Sequence, residues 1–493
     1  VSPRVGLRPF SVDSGNGFFL NGRPYPLHGV SRHQDRENMG NAITEKQHAE
    51  DVKIILDVGA NSVRLAHYQQ NSYFYGLCDE SGLLVWAEVP VISRFSPKRN
   101  ENAEQQLVEL IKQNYNHPSI FCWGIENEIT IAGSASKKLI TFLKHMHKVA
   151  RHLDPTRYTT CAQLTMCPVN SPLNHITDII GYNHYYGWYM GSCDEINNWL
   201  DEWHRENPEG KLCLSEYGAE GITKYHSDSP VQGDYSEDYQ AIYHEHYIKS
   251  INERDWLWGS YVWNMFDFGS ASRNEGGVRG RNNKGLVTFD RKTKKDAFWL
   301  YKAYWSDKKF VHITGERYVN RPAGKSTIKV YSNCPEVTLE VNGKTYTKKA
   351  DRVFVFDDVE LKLGENVIKA RGGKVRPSHT ITVNGIEKAT DEYKMPAEYS
   401  SFVRNWFVAT DGEGDPNKLS VEDSMGEVLS NGEVNKIIKN AAGDFAAKAV
   451  SSPLLKPIYP VKVKTMIKLA GKLGVDEKML SLAGGFLQTI DKN

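Results

Sequence analysis

The stretch that decides the fold is Ile120-Phe121-Cys122-Trp123-Gly124-Ile125-Glu126-Asn127-Glu128. It is a short apolar segment that ends in polar and acidic residues, as a buried parallel strand does when it delivers functional side chains at its carboxyl end. Between residues 25 and 305, seven further segments are predicted to be strands of the same kind: Tyr25–Val30, Ser62–His67, Leu83–Val89, Tyr158–Gln163, Asp178–His184, Lys211–Glu216 and Gly259–Phe266.

Helical segments alternate with these strands. Thr44, followed three residues later by Gln47, predicts a capping box, and Gly59 stands where the C-terminal cap belongs. The other predicted helices are Ala103–Asn114, Lys137–Arg151, Ile196–Arg205, Asp238–Asn252 and Lys295–Tyr304. Eight β–α repeats in roughly 280 residues predict an α/β fold, a (β/α)8 TIM barrel. A doubly wound open sheet is the alternative, but it rarely uses eight such units without a glycine fingerprint.

The predicted barrel is one of four parts of the chain. Short alternating strands follow it, and the pair Asn342-Gly343 is a hairpin signal. From Lys436 onward the sequence holds ten lysines against four acids. We predict a residual hairpin of an upstream sandwich over 1–20, a catalytic barrel over 21–310, an immunoglobulin-like β-sandwich over 311–395 and a basic, mainly helical C-terminal domain over 396–493. Helix candidates in the last part are Gly426–Ser430, Val434–Ala449 and Val461–Leu473.

Composition excludes several classes of protein. The 493 residues carry 61 Lys+Arg against 60 Asp+Glu, a net charge of +1, and 40% are hydrophobic. This balance argues against a disordered chain and against bulk nucleic-acid binding. No apolar run approaches the roughly 18–20 residues that span a bilayer, and the N-terminus lacks a signal-peptide layout. The seven cysteines form no C-x-x-C pair, which favours reduced thiols in a cytoplasmic protein.

The ends of the predicted strands collect the residues that could carry chemistry. Glu128 ends strand four and Glu216 ends strand seven, and amide and aromatic side chains stand beside them at neighbouring strand ends. Two carboxylates across a barrel mouth suit acetal hydrolysis, in which one protonates the leaving oxygen and the other attacks the anomeric carbon. Aromatic rings pack against sugar C–H surfaces, while Asn and His contact hydroxyls.

Several longer motifs resemble glycoside hydrolase family 2. They are Phe18-Phe19-Leu20-Asn21-Gly22-Arg23-Pro24, His28-Gly29-Val30-Ser31-Arg32-His33, Val63-Arg64-Leu65-Ala66-His67-Tyr68, Asn127-Glu128, Ser215-Glu216-Tyr217-Gly218-Ala219, Tyr261-Val262-Trp263-Asn264 and Lys284-Gly285-Leu286. The resemblance covers about residues 1–310. It implies a retaining exo-β-glycosidase that needs no metal and no catalytic cofactor.

The resemblance also implies a role for each residue around the carboxylates. Glu128 is expected to be the general acid/base and Glu216 the nucleophile. The other expected contacts are Asn127 with the 2-hydroxyl, Arg64 and Tyr185 with Glu216, Trp263 at the pocket floor, and His33 and His67 with hydroxyls. For His33 a purely structural role is an equal alternative.

The sugar is predicted to be a β-D-glucuronide. Asn282-Asn283-Lys284 resembles the Asn-x-Lys signature of β-glucuronidases, and Asn183, Tyr185 and Tyr189 match the pattern of the same enzymes. A buried Lys facing a neutral hydroxyl would be costly, which favours an acidic sugar. Two alternatives stay open: Lys284 simply pairs with a nearby Asp, or the protein is a β-galactosidase, whose sequences resemble residues 290–298.

Other readings concern function class and partners. A non-catalytic carbohydrate-binding protein would have Glu128 or Glu216 out of place. A metal hydrolase is weaker, because His244-Glu245-His246 lacks the H-E-x-x-H spacing. The basic tail is expected to be either a packing domain or, by resemblance to some gut-bacterial glucuronidases, a binding site for flavin mononucleotide (FMN). We further predict a bacterial, cytoplasmic homo-oligomer that acts on small glycosides and binds neither nucleic acid nor membrane.

Overall fold

A computed structural model describes residues 6–131, 135–373, 377–396, 399, 419–420, 423–435, 453–463, 465–466, 487, 490 and 492. In this part of the chain all seven cysteines are free thiols. A search of the same residues finds no helix with the length and apolar character needed to cross a membrane.

A small antiparallel sheet comes first in the chain. It consists of β1 (Phe10–Asp13), β2 (Gly17–Leu20) and β3 (Arg23–Pro24). Phe18 is buried, and its ring meets that of Phe121 edge to face at 5.4 Å, near the amino end of a barrel strand. The hairpin therefore packs against the amino-terminal end of the barrel, opposite the end where catalytic residues are expected. Its assignment to an upstream sandwich stays a prediction.

The next eight strands close into a parallel barrel, which confirms the predicted fold class and excludes the open doubly wound sheet. All eight are buried because helices cover the outside of the barrel and side chains fill the inside. The strands are β4 (Leu27–Arg32), β5 (Ser62–Leu65), β6 (Leu84–Glu88), β7 (Ile120–Asn127), β8 (Tyr158–Leu164), β9 (Ile179–Asn183), β10 (Leu212–Tyr217) and β11 (Gly259–Val262).

Seven helices surround the barrel in the described residues. They are α1 (Glu45–Val58), α2 (Ser72–Ser81), α3 (Asn100–Asn114), α4 (Lys137–Leu153), α5 (Glu195–Glu206), α6 (Glu237–Asn252) and α7 (Asp296–Trp305). The Thr44–Gln47 capping box and the left-handed cap at Gly59 are present as predicted. Helix α2 was not predicted. The connection between β8 and β9 holds only a 3-10 turn, Pro172–His175, so the fifth repeat has no α-helix.

Beyond the barrel mouth, β12 (Phe268–Glu275) and β13 (Val278–Asn282) form a hairpin. A two-sheet sandwich follows. One sheet has the order β14 (Val311–Ile313), β16 (Gly324–Ser332), β19 (Val353–Leu361), and the other has the order β15 (Asn320–Pro322), β21 (Ser378–Ile386), β20 (Gly364–Gly372), β17 (Glu336–Val341), β18 (Lys344–Lys349). Asn342 and Gly343 form the two-residue turn between β17 and β18, both with positive φ, as predicted.

The sandwich is tied to the barrel by buried charges. His312 pairs with Asp296 at 2.8 Å, and Arg317 Nε donates to Glu237 at 2.9 Å. In the C-terminal part, α8 (Met425–Ser430) confirms one predicted helix. The predicted helices Val434–Ala449 and Val461–Leu473 lie mostly outside the described residues, and the predicted domain boundaries stay predictions.

Candidate active site

The carboxyl ends of the barrel strands bring the sequence-predicted residues together. Arg64 lies on β5, Asn127 ends β7 with Glu128 directly after it, Asn183 ends β9 and Glu216 lies on β10. All five of these side chains are buried. The mouth of the barrel is thus the candidate active site, as expected for this fold.

Glu216 is held at both carboxylate oxygens. Arg64 Nη1 donates to Oε1 at 2.7 Å, and the Tyr185 hydroxyl donates to Oε2 at 2.7 Å. His67 Nε2 lies 3.7 Å from Oε1. A carboxylate that receives a charge-assisted hydrogen bond is both compensated and fixed in orientation. This geometry suits a nucleophile that must be ionised and aimed.

Arg64 is the hub of the site. It is fully buried, and besides Glu216 it donates to both oxygens of Glu88, each at 3.1 Å, and to Asn127 Oδ1 at 2.8 Å. Burial opposes its charge, but Glu88 and Glu216 hold the pKa of Arg64 above its usual range. His67 Nδ1 also contacts Glu88 at 2.6 Å. Sequence analysis did not identify Glu88, whose two oxygens accept hydrogen bonds from Arg64 Nε and Nη2.

Asn127 and Asn183 form an amide chain between the two glutamates. Asn183 Nδ2 donates to Asn127 Oδ1 at 3.1 Å, and Ser215 Oγ donates to Asn183 Oδ1 at 2.7 Å. The Asn127 oxygen thus accepts from both Arg64 and Asn183, which turns its NH2 group away from them. That orientation is the one needed to donate to a sugar hydroxyl.

Glu128 has the opposite electrostatic environment to Glu216. It is 6% exposed. Burial, followed by the charge of Glu216, raises the pKa of Glu128 to about 8, although Asn183 and Arg64 oppose the rise. At neutral pH the side chain is a protonated acid, and an acid beside a fixed carboxylate is the pairing that acid-assisted displacement requires.

Aromatic rings line the side of the site near β4 and β11. Trp263 stacks on His67 with ring centroids 5.1 Å apart and an angle of 14°. His33 stacks on Phe268 at 4.2 Å, and its Nδ1 lies 3.4 Å from the Tyr68 hydroxyl. Burial and neighbouring cations lower the pKa of His33 well below its ordinary value, so the ring is neutral. Because His33 is packed against Phe268 and Tyr68, its position is compatible with both alternatives, a purely structural role and a contact with a sugar hydroxyl.

Lys284 lies in a buried cluster of charges, and its carbonyl accepts the backbone N–H of Asn264 at 3.1 Å. Its Nζ donates to the Tyr189 hydroxyl at 2.8 Å and to Glu220 Oε1 at 3.1 Å. The alternative of an acidic partner is therefore present in the structure, with Glu220 in place of the Asp considered from the sequence. Asn282 Oδ1 accepts the Lys284 backbone N–H at 3.0 Å and so shapes the turn that carries the lysine.

The cluster around Lys284 contains two further residues that sequence analysis missed. Arg273 donates to Glu220 at 2.9 Å, to Glu275 at 2.8 Å and to Tyr189 at 3.0 Å. Although burial opposes it, the two cations lower the pKa of Glu220 to about 2, whereas burial raises that of Glu275 to about 8. With two cations, one anion and one neutral acid, the cluster carries one net positive charge at pH 7.

Asp35, at the same mouth, was also missed. Its Oδ2 accepts the Gly269 N–H at 2.8 Å, while Oδ1 is buried without a hydrogen-bond partner among the described residues. Burial raises the pKa of Asp35 to about 6. No local pattern singles out this residue, because it lies three positions beyond the strand end and its environment comes from the β12–β13 hairpin.

Two buried carboxyl groups, one hydrogen-bonded by Arg64 and one raised in pKa, lie within a mouth lined by amides and aromatic rings, which is the arrangement found in glycoside hydrolases of the two-carboxylate type. The sequence profile described as "Glycosyl hydrolases family 2, TIM barrel domain" matches residues 11–310. The chain therefore belongs to glycosyl hydrolase family 2.

Several known proteins are similar to it. Beta-glucuronidase of Bacteroides fragilis is 41% identical over an alignment of 411 residues, and the match covers 80% of this chain and 56% of that protein. Among solved structures, an FMN-binding beta-glucuronidase from Facaelibacterium prausnitzii L2-6 has a TM-score of 0.78 and 49% identity, covering 80% of this chain and 61% of that one. Bacteroides uniformis beta-glucuronidase 2, covalently bound to cyclophellitol-6-carboxylate aziridine, has a TM-score of 0.73 and 33% identity over 78% of this chain and 48% of that one. The chain thus spans about half to three fifths of the length of these relatives.

Proposed function

We propose that this protein is a retaining exo-β-glycosidase that hydrolyses terminal β-D-glucuronides. The observation that carries the proposal is that two neighbouring glutamates have opposite electrostatic environments. Glu216 accepts hydrogen bonds from Arg64 and Tyr185, while burial and the charge of Glu216 raise the pKa of Glu128 to about 8. The similarity to several proteins named beta-glucuronidase supports the choice of sugar.

The reaction follows from this geometry in two displacements. In the first, a Glu216 oxygen forms a bond to the anomeric carbon while the bond to the aglycone oxygen breaks, and Glu128 gives its proton to that oxygen. In the second, the Glu128 carboxylate takes a proton from water, the water oxygen attacks the anomeric carbon, and Glu216 leaves. Glu128 ends protonated, so the site is restored and the anomeric configuration is retained. Asn127, with its NH2 group turned outward, is the donor for the 2-hydroxyl.

The net positive cluster around Lys284 supports an acidic sugar. The cluster has one positive charge in excess, and the Tyr189 hydroxyl accepts from both Lys284 and Arg273, so its own proton is left to donate to a ligand. A uronate carboxylate would bring the missing negative charge. Since Glu220 already pairs with Lys284, the excess charge of the whole cluster, not a free lysine, is what would recognise the sugar.

The test is a panel of aryl glycosides, with Lys284→Met as the decisive variant. We expect kcat/KM for the β-glucuronide to exceed that for the β-galactoside in the wild-type protein, and the ratio to fall by about 10²-fold or more in Lys284→Met. Lys302→Met is the matched control, because Lys302 on α7 is a buried lysine paired with a different carboxylate, Asp57, at 2.6 Å. Its ratio should not change. Preference of the wild-type protein for the galactoside would favour the β-galactosidase alternative.

The catalytic assignment has its own test. Glu128→Gln and Glu216→Gln should each lower turnover of an ordinary aryl β-glucuronide by at least about 10³-fold. Near-normal turnover in both variants would refute the glycosidase mechanism, and an inactive wild-type protein that still binds sugars would indicate a carbohydrate-binding protein.

We also propose that the C-terminal part of the chain, residues 396–493, binds FMN. The support is the similarity over 80% of this chain to a glucuronidase described as FMN-binding, together with the excess of ten lysines over four acids from Lys436 onward, which suits a phosphate. A flavin absorbance in the purified protein, or its uptake on adding FMN, is the expected result; a colourless protein that ignores added FMN would refute it. The cytoplasmic location and the homo-oligomeric state remain predictions, and light scattering would test the latter.

A further inference from the structure

A third buried glutamate lies two residues before Glu128 and takes no part in the two displacements. Glu126 is fully buried on β7, and no described residue forms an ion pair with it. Its Oε2 accepts the backbone N–H of Ile129 at 3.1 Å, and its Oε1 contacts Gln163 Nε2 on β8 at 3.0 Å. A buried carboxyl without a cation is costly, so its retention beside a catalytic residue requires an explanation.

The strand is irregular at this point. Gly124 pairs with Thr160 and Asn127 pairs with Ala162, so β7 has two residues, Ile125 and Glu126, where β8 has one. This is a β-bulge, and bulges beside active sites re-aim the side chains that follow them. The residues that follow are Asn127 and Glu128. The Glu126 side chain bridges the bulge, because one of its oxygens contacts Gln163 on β8 and the other accepts the N–H of Ile129, just after Glu128.

The backbone of Glu128 needs support of this kind. Its φ is +49°, in the left-handed region that a residue with a side chain adopts only at a cost in free energy. Hydrogen bonds hold both flanking amides: the Glu128 N–H donates to Ala162 O at 2.8 Å, and the Ile129 N–H donates to Glu126. Without the Glu126 carboxyl, the Ile129 amide would lose this partner, and the turn that presents the acid would keep only the bonds from Glu128 N–H to Ala162 O and from Ile131 N–H to Glu128 O.

We propose that Glu126 is a positioning residue for catalysis: its carboxyl group bridges the bulge in β7 and holds the left-handed turn that presents Glu128 to the glycosidic oxygen. The neutral form fits the surroundings, because burial raises the pKa of Glu126 to about 8 even though the Ile129 N–H opposes the rise. A glutamine amide fits in either orientation, so the 3.0 Å contact also suits a Glu126 O–H that donates to Gln163 Oε1.

The test separates acid positioning from general damage by varying the leaving group. A 2,4-dinitrophenolate departs without protonation, whereas a phenolate, with a pKa near 10, needs the acid. In Glu126→Leu we expect kcat/KM for the phenyl glycoside to fall by about 10²-fold, and kcat/KM for the dinitrophenyl glycoside to stay within about threefold of wild type. Glu126→Gln keeps the shape and the acceptor for Ile129 without a charge, and should retain both rates within about fivefold.

Asp154→Asn is the matched control. Asp154 is a fully buried carboxylate that accepts from Trp123 Nε1, on the same strand, at 3.0 Å, but it lies away from Glu128 in the chain and pairs with Arg157. It should destabilise the protein without changing the ratio of the two rates. Equal losses on both substrates in Glu126→Leu, or a loss in Glu126→Gln as large as in Glu126→Leu, would overturn the proposal.

The inference rests on the proposed glycosidase function, so one measurement is independent of turnover. Amide hydrogen exchange at Ile129 should accelerate in Glu126→Leu and stay slow in Glu126→Gln, whatever the wild-type protein hydrolyses. Unchanged protection in Glu126→Leu would refute the anchoring role. A wild-type protein that cleaves neither aryl glycoside would refute the proposed function instead, while the exchange result would still decide whether Glu126 holds the turn.

Discussion

The protonation of Glu128 predicts the alkaline side of the pH–rate profile. Burial and the charge of Glu216 raise its pKa to about 8. With that value about 90% of the molecules carry the catalytic proton at pH 7, whereas with the ordinary value of about 4.5 only about 0.3% would. We therefore expect kcat/KM for a phenyl β-glucuronide to be nearly constant around neutrality and to fall by at least about tenfold per pH unit above 8.

The assay is initial-rate kinetics from pH 5 to 10, and the assignment needs a second substrate. Glu275, whose pKa burial also raises to about 8, would weaken binding of a uronate in the same range by neutralising the cluster around Lys284. A dinitrophenyl glucuronide needs no acid, so Glu128→Gln should retain kcat/KM on it near neutral pH. Any alkaline decline that remains in this variant then reports the titration of Glu275. In Glu275→Gln, the alkaline decline of kcat/KM for the phenyl glucuronide should come from Glu128 alone. A decline that already begins below pH 6 would refute the reasoning, because it would mean that the environment does not raise the pKa of Glu128.

Three further predictions concern the residues around the acid and the nucleophile. Arg64→Met should lower the free energy of unfolding by about 3–5 kcal/mol and abolish turnover, because it leaves Glu88 and Glu216 buried without their cation; chemical denaturation checks this, and a stable variant would contradict it. Tyr185→Phe should lower kcat by about 10²-fold with an unchanged fold, since it removes the donor to Glu216 Oε2, and steady-state kinetics with circular dichroism will show whether it does. Because the pKa of Glu126 is raised in the folded state, its proton stabilises the fold at low pH and this stability is lost as the pH rises towards about 8. Between pH 5 and 7.5, the unfolding free energy of Glu126→Gln should therefore fall with pH by about 1.4 kcal/mol per pH unit less than that of the wild-type protein. Urea denaturation at several pH values measures this, and the same pH dependence in both proteins would contradict the prediction.

The barrel and its main residues could be predicted because strand ends leave a local signal. An apolar run that stops at Asn127-Glu128, or at Glu216, is visible in the sequence, and barrel closure then brings these ends together. Helix α2 (Ser72–Ser81) was missed although both of its ends leave a local signal: Asn71 accepts the Tyr73 N–H, and Gly82 ends the helix in the left-handed region. It contains Gly76 and several aromatic residues of modest helix propensity, and it forms because Phe74 and Tyr75 are buried in the core.

The electrostatic partners could not be predicted, because they depend on how separate segments meet. Glu88 reaches Arg64 from an adjacent strand, and Arg273 reaches Glu220 from the β12–β13 hairpin, which lies outside the barrel repeat. The bulge before Asn127 is equally hidden, since it exists only in the register between β7 and β8.

Two buried clusters in the barrel mouth follow the same electrostatic rule. In the first cluster, Glu216 accepts a hydrogen bond from Arg64, whereas Glu128 has no such bond to a cation within the part of the chain that the structure describes, and its pKa rises to about 8. Where Lys284 is near, the pKa of Glu220 falls to about 2 and that of Glu275 rises to about 8. Each cluster thus stores one proton at neutral pH. Glu128 can transfer its proton to the leaving group. The proton on Glu275 keeps that side chain neutral, so the cluster retains the excess positive charge that a sugar carboxylate can neutralise. Because both protons are lost over the same pH range, acid assistance and recognition of a uronate should fail together on alkaline titration, and only variants that change one glutamate at a time can separate them.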